Sequence, residues 1–184
     1  MDTSPDPADL SGLEVSAVAL NRTVDALTDD DLAAPSLLPG WTQAQVVAHL
    51  ALNGRSLAGV LDAVRRGEPV AMYDSDDQRD SEINELAGAD PADLRDALLA
   101  ATTAFSDAVA AVDEDAWSGS FNRLPGGPER RRPPFQLGRR LEVQLIAGVV
   151  VEVATHSRDV GHDVQTQVPQ LFGGTDTAAE QQLR

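Results

Sequence analysis

Glu152 and His156 interrupt the most apolar stretch of the chain, VVVEVATHSRD at residues 149–159. Their spacing of four puts both side chains on one face of a helix of 3.6 residues per turn, where an oxygen and a nitrogen can converge on one point. Leu141, Leu145 and Val149 precede them at the same step. The face that carries them is therefore also the face packed inward. An isolated carboxylate moved into such surroundings loses on the order of several kcal/mol of hydration unless a cation or a full set of hydrogen bonds replaces the water. Three arrangements meet that requirement. Glu152 can pair with His156 or with Arg158. Both can grip a metal ion, given a third ligand from a facing helix; His49 is the other His in a predicted helix interior, one turn from Val46 and Asn53. Or the two form an acid–base dyad without metal, for which the sequence supplies no obvious nucleophile. His49 taken alone reads as readily as a satisfied core histidine.

The elements that must position these residues are helical almost throughout. Leu10, Leu13, Ala17, Leu20, Val24 and Leu27 recur at steps of three and four, which predicts a first helix over about 7–28. The acidic residues 29–31 and the stretch from Pro35 to Gly40 break it. Thr42 and Gln45 have the spacing of a capping box and predict the start of a second helix. Its buried face runs through Val46, Leu50, Leu57, Val60, Leu61 and Val64 to a stop at Gly67 and Pro69. The weakly periodic segment from Tyr73 to Gly88 reads as a loop with a short helix.

Asp90 followed by Pro91 opens a third long helix, with Leu94, Leu98, Ala101, Phe105, Val109 and Val112 on its apolar face. Residues 113–135 are rich in Pro and Gly and form a long irregular loop or a poor hairpin, long enough to wall a site. From Gln136 to about Val160 the periodicity is helical again and apolar on nearly every side, which predicts a fourth helix deep in the core. The fold class is therefore all-α, a four-helix bundle, with residues 161–184 as a polar tail.

The charge balance narrows the partners. Fourteen Arg and no Lys against thirty Asp and Glu give a net charge of 14 − 30 = −16, a field that repels nucleic acid and anionic membranes. No Cys is present, so disulfides, thiolate metal sites and a protein-borne thiol nucleophile are excluded, and sulfur chemistry would need a cofactor. No apolar run approaches the ~20 residues of a spanning helix, and the N-terminal residues lack the basic and apolar regions of a secretory signal. The expected localisation is cytoplasmic. Six arginines fall between Arg123 and Arg140, a patch that reads mainly as a solvated loop and helix start, with attraction of an anionic substrate as the alternative. Trp41 and Trp117 read as packing residues.

LPGWTQAQVVAHL at residues 38–50, with Pro39, Gly40, Trp41, Thr42 and His49, resembles the signature at the second helix of the mycothiol-dependent maleylpyruvate isomerase family, within the DinB-like metal-binding four-helix bundles. EVATHSRDVG at residues 152–161 resembles the later helix of that family, in which a Glu and a His four apart are followed by an Asp. The resemblance runs over roughly residues 8–163. It implies a metal-binding domain over 1–163, followed by the tail 164–184. It also implies His49, Glu152 and His156 as metal ligands, a divalent ion, zinc foremost, with an open position for water or a thiol, and mycothiol, an actinobacterial thiol, as the thiol. Arg79, in MYDSDDQRDSEI at residues 72–83, matches a family Arg near the active site, where it would pair with a substrate carboxylate. A solvated Arg among Asp76, Asp77 and Asp80 is the plain alternative. Asp159 would orient His156 or lie at the surface. Glu142, in RRLEVQL, is a competing metal ligand, but its i+4 neighbour is Ile146, which cannot ligate. His162 and Asp163 belong to the tail.

The namesake isomerase of the family carries a second, C-terminal domain, whereas only residues 161–184 follow the fourth predicted helix here. The expectation is therefore a metal-dependent, mycothiol-using enzyme acting on a small electrophilic molecule, by thiol transfer or by thiol-assisted cis/trans isomerisation, with maleylpyruvate itself in doubt. The competing expectation is a non-catalytic bundle that binds a ligand or partner, Glu152 and His156 satisfying one another. Either leaves room for a homodimer through an exposed helix face.

Overall fold

A computed structural model describes residues 7–113, 116–118, 120–125 and 135–136. Its elements, in chain order, are α1 (Pro7–Asp25), α2 (Asp29–Ala33), α3 (Gln43–Arg65), α4 (Asp76–Ala87), α5 (Pro91–Ala110), β1 (Ser120–Phe121) and β2 (Phe135–Gln136), with a single 3₁₀ turn at Ala116–Ser118. The fold is all-α. Its fourth long helix, expected over 136–160, lies outside the described residues apart from Gln136.

Local chemistry sets the helix boundaries. At the start of α3 the Gln45 N–H donates to Thr42 Oγ1 at 3.2 Å, and the Thr42 N–H donates to Gln45 Oε1 at 2.8 Å. Two amides that lack partners inside the helix are thereby satisfied. At its end the Glu68 N–H donates to the Ala63 carbonyl and the Gly67 N–H to the Val64 carbonyl, both at 2.9 Å. This paired closure needs a left-handed residue, and Gly67 supplies it at φ +69°. Arg65 and Arg66 of this last turn both pair with Asp62 and hold its carboxyl below the usual carboxylate range. Asp90 caps α5 by accepting the Ala92 N–H at 2.8 Å, ahead of Pro91.

Three expectations are corrected. The acidic run after the first helix does not merely break it but starts α2: Asp31 and Thr28 cap one another at 3.0 and 3.1 Å, and three carboxylates sit in its first turn, where the helix dipole favours negative charge. The third long helix stops at Ala110, short of Val112. Gln136 does not open a helix; it pairs in β2 antiparallel to β1, Ser120 opposite Gln136 and Phe121 opposite Phe135. Phe121 is 2% exposed and packs with Leu57, Val60 and Leu61 of α3, and its burial anchors the two-residue ladder. The proline-rich segment is thus closed by the poor hairpin that its composition suggested.

α3 is the central described helix, buried at every residue from Val46 to Gly54. It packs most extensively on α5 and then on α4. A Cβ added at Gly54 would stand 3.5 Å from Ala101 Cβ, so the small residue brings the two backbones close. α1 runs antiparallel to α5: Asn21 Nδ2 donates to Thr102 Oγ1 at 2.9 Å, and Arg95 Nη2 to the Leu27 carbonyl at 2.7 Å. Trp117, 5% exposed, belongs to the core with Phe105 and Val109, as expected of a packing residue. No helix among the described residues is long and apolar enough to cross a membrane.

Because the box at Thr42 fixes where the central helix begins, Thr42→Ala is expected to lower the unfolding free energy by about 1 kcal/mol in urea denaturation. No change would mean that packing alone sets that boundary.

Candidate functional site

His49 and Asn53 are the buried polar side chains of α3, 5% and 6% exposed, in a helix whose other buried members from Val46 to Val60 are apolar or glycine. At about 100° per residue, Asn53 lies only ~40° around the helix from His49. Gly54, which approaches Ala101 of α5, is about 140° to one side of His49, and Arg55, paired with Glu82 of α4 at 3.1 Å, about 120° to the other. His49 and Asn53 therefore share one face of α3, with Gln45, which donates to Asn84 of α4 at 2.8 Å, about 40° to the other side of His49. The Trp41 ring meets the imidazole edge to face, with centroids 5.9 Å apart and planes at 74°, which keeps water from that side. Trp41 also packs against the first core cluster, so its packing role stands.

Burial makes both side chains costly. Asn53 Oδ1 is shut off from solvent and has no hydrogen-bond partner among the described residues, an arrangement that costs about 1–3 kcal/mol of lost hydration. By contrast, the part-buried amide of Asn21 donates to Thr102.

A second cluster forms where α4 begins. The Met72 N–H donates to the Asn122 carbonyl at 2.8 Å and the Tyr73 N–H to the Arg123 carbonyl at 3.0 Å, which sets Arg123 beside Tyr73. The guanidinium carbons of Arg79 and Arg123 lie 5.9 and 5.7 Å from the Tyr73 ring centroid, within cation–π range. Each guanidinium also holds a carboxylate at 2.6 Å, Arg79 that of Asp80 and Arg123 that of Asp76. The two aspartates are 59% and 51% exposed, whereas the arginine side chains are 13% and 22% exposed. Arg79 is accordingly not a freely solvated Arg among acids. Its guanidinium is held between the Asp80 carboxylate and the ring of Tyr73.

Of the residues that the sequence singled out, His49 and Arg79 lie on α3 and α4, which pack together. Glu142, Glu152, His156, Asp159 and His162 lie outside the described residues, and among those described no group of three His, Asp or Glu side chains is placed to hold a metal. Arg123 appeared in the sequence only as one of six arginines, and Asn53 only as a neighbour of His49. The i, i+4 spacing of Asn53 from His49 was the signal that could have promoted it; nothing in the sequence pairs Arg123 with Tyr73.

An all-α bundle with a buried imidazole and amide on one face of its central helix defines the class: a helical-bundle domain with a polar site in its core. The family model for the mycothiol maleylpyruvate isomerase N-terminal domain matches residues 13–161, and the chain belongs to that family. Among solved structures, the crystal structure of the mycothiol-dependent maleylpyruvate isomerase is similar at 22% identity and a TM-score of 0.70, covering 82% of this chain and 60% of that one. The crystal structure of a histidine-to-alanine mutant of the mycothiol-dependent maleylpyruvate isomerase is similar at 21% identity and a TM-score of 0.70, covering 81% and 60%. The chain thus spans less than two thirds of the length of these proteins, and the likeness is one of fold. No curated protein matches the chain.

Tyr73→Leu keeps the bulk of the second cluster but removes the ring face. At roughly 0.5–1 kcal/mol for each exposed cation–π contact, it should cost about 1–2 kcal/mol of stability in urea denaturation. A cost near zero would show that the ring does not hold the two guanidinium groups.

Proposed function

We propose that the chain is a metal-dependent, mycothiol-using enzyme that acts on a small electrophilic molecule, by thiol transfer or by thiol-assisted cis/trans isomerisation. The observation that carries this reading is the buried His49 beside an unpartnered amide oxygen, in a chain that belongs to a family described by mycothiol and maleylpyruvate. An imidazole in dry surroundings suits a divalent cation, because neutral nitrogen is the ligating form and exclusion of water strengthens the bond. In this reading His49 holds the ion from α3, with Glu152 and His156 as the other ligands, and zinc is the metal. Such an ion, when bound, lowers the pKa of a thiol enough for thiolate to be present at neutral pH.

The remaining roles fall to this chain's own side chains. Arg79, stacked on Tyr73 and fixed near the start of α4, binds and orients a substrate carboxylate through two parallel N–H donors. Trp41 shields the His49 ring from water. With no Cys in the chain, the nucleophilic sulfur comes from the soluble thiol. If that sulfur stays on the substrate the outcome is transfer; if it leaves after rotation about the attacked bond, the outcome is isomerisation.

Metal analysis of the purified protein tests the ligand set. Wild type should hold zinc in proportion to protein, His49→Ala and Glu152→Gln should lose most of it, and Glu142→Gln should keep it. A chelator should lower Tm, since an ion bound only by the folded state stabilises it, by about 2.7 kcal/mol at a hundred times its Kd. Unchanged metal content in His49→Ala, or no metal and no chelator effect in wild type, would leave a non-catalytic bundle.

A further inference from the structure

Resting on that reading, we propose that Asn53 is a binding residue for the thiol: its carboxamide oxygen accepts a hydrogen bond from an N–H or O–H group of the thiol co-substrate seated beside His49. The inference starts from an energetic imbalance. Asn53 is 6% exposed, and its Oδ1 has no hydrogen-bond partner among the described residues. Buried polar atoms are nearly always paired, and an unpaired one destabilises the fold relative to an apolar side chain of similar shape. A leucine or valine there would continue the apolar pattern of Leu50, Leu57, Val60 and Leu61. The amide therefore destabilises the ligand-free protein.

Its position says what it serves. Asn53 is one helical turn beyond His49 on a shared face, with about 5–6 Å between Cβ atoms at this spacing. A molecule that reaches the His49 ring from that face passes within reach of the Asn53 oxygen. An acceptor with no donor of its own selects a ligand that brings one, and amide or hydroxyl groups beside the sulfur of a polar thiol meet that need. An apolar thiol would leave the oxygen as unsatisfied as before. Asn53 is thus a determinant of which thiol is accepted.

The test compares Asn53→Leu, and Asn53→Ala in case the larger side chain overfills the site, with wild type in three measurements. In thermal melts of the metal-free protein, Asn53→Leu should have a Tm equal to or above that of wild type, because it removes an unpaired polar atom. Zinc affinity should stay within about threefold of wild type, since Asn53 is not counted among the ligands. Mycothiol binding to the zinc-loaded protein, measured by calorimetry, should weaken about tenfold or more in both variants, which is 1.4 kcal/mol. Mycothiol affinity unchanged in the variants that bind zinc normally overturns the assignment while leaving the enzyme reading intact. Loss of zinc affinity in both variants also overturns it, by making Asn53 part of the metal site. A wild-type protein that binds zinc but no mycothiol defeats the thiol-enzyme reading, and the role of Asn53 falls with it.

Discussion

An imidazole held in the dry centre of a helical bundle is the constraint from which the other features follow. α3 is buried at every residue from Val46 to Gly54, so a polar side chain on it must be matched by a partner or a ligand. The helix has to be fixed in register and length for its polar pair to meet anything. The reciprocal cap at Thr42 and Gln45 fixes one end, and the left-handed Gly67 the other. Close approach of α5 at Gly54 and Ala101 fixes the rotation. Together these fix His49 and Asn53 on one face of the central helix, inside the bundle core.

The second cluster complements the first by charge. In the proposed reading, a chain with a net charge of −16 would meet a substrate carboxylate only at locally placed cations. Arg79 and Arg123, both beside the ring of Tyr73, are the cations that this reading would use, and their aspartate partners are exposed. Exposed ion pairs are weak, commonly below about 1 kcal/mol, so a ligand can displace Asp80 from Arg79 at small cost.

What could be read from the sequence was what short-range chemistry decides. The starts of α3 and α5 were legible because Thr42 with Gln45, and Asp90 with Pro91, act within one helical turn. His49 was legible as a His in a predicted helix interior and through the family signature at residues 38–50. α2 was misread because three consecutive acids look like a break, and only the reciprocal bonds of Thr28 and Asp31 turn them into a helix start. The end of α5 and the strand at Gln136 depend on tertiary burial, that of Phe121 in particular, and left no local signal. Arg123 meets Tyr73 through a backbone pairing between segments some fifty residues apart, which no periodicity encodes. The half of the candidate centre that Glu152 and His156 would supply lies outside the described residues, so that part rests on spacing and family resemblance.

The central claim is that His49 helps to hold an ion to which the thiol sulfur binds directly. Loading the protein with Co2+ in place of zinc and titrating it with mycothiol addresses this most directly, because sulfur bound to cobalt gives a charge-transfer absorption that nitrogen and oxygen ligands do not. That band should grow to saturation in wild type and be absent from His49→Ala. A cobalt spectrum that does not change when mycothiol is added would contradict the account.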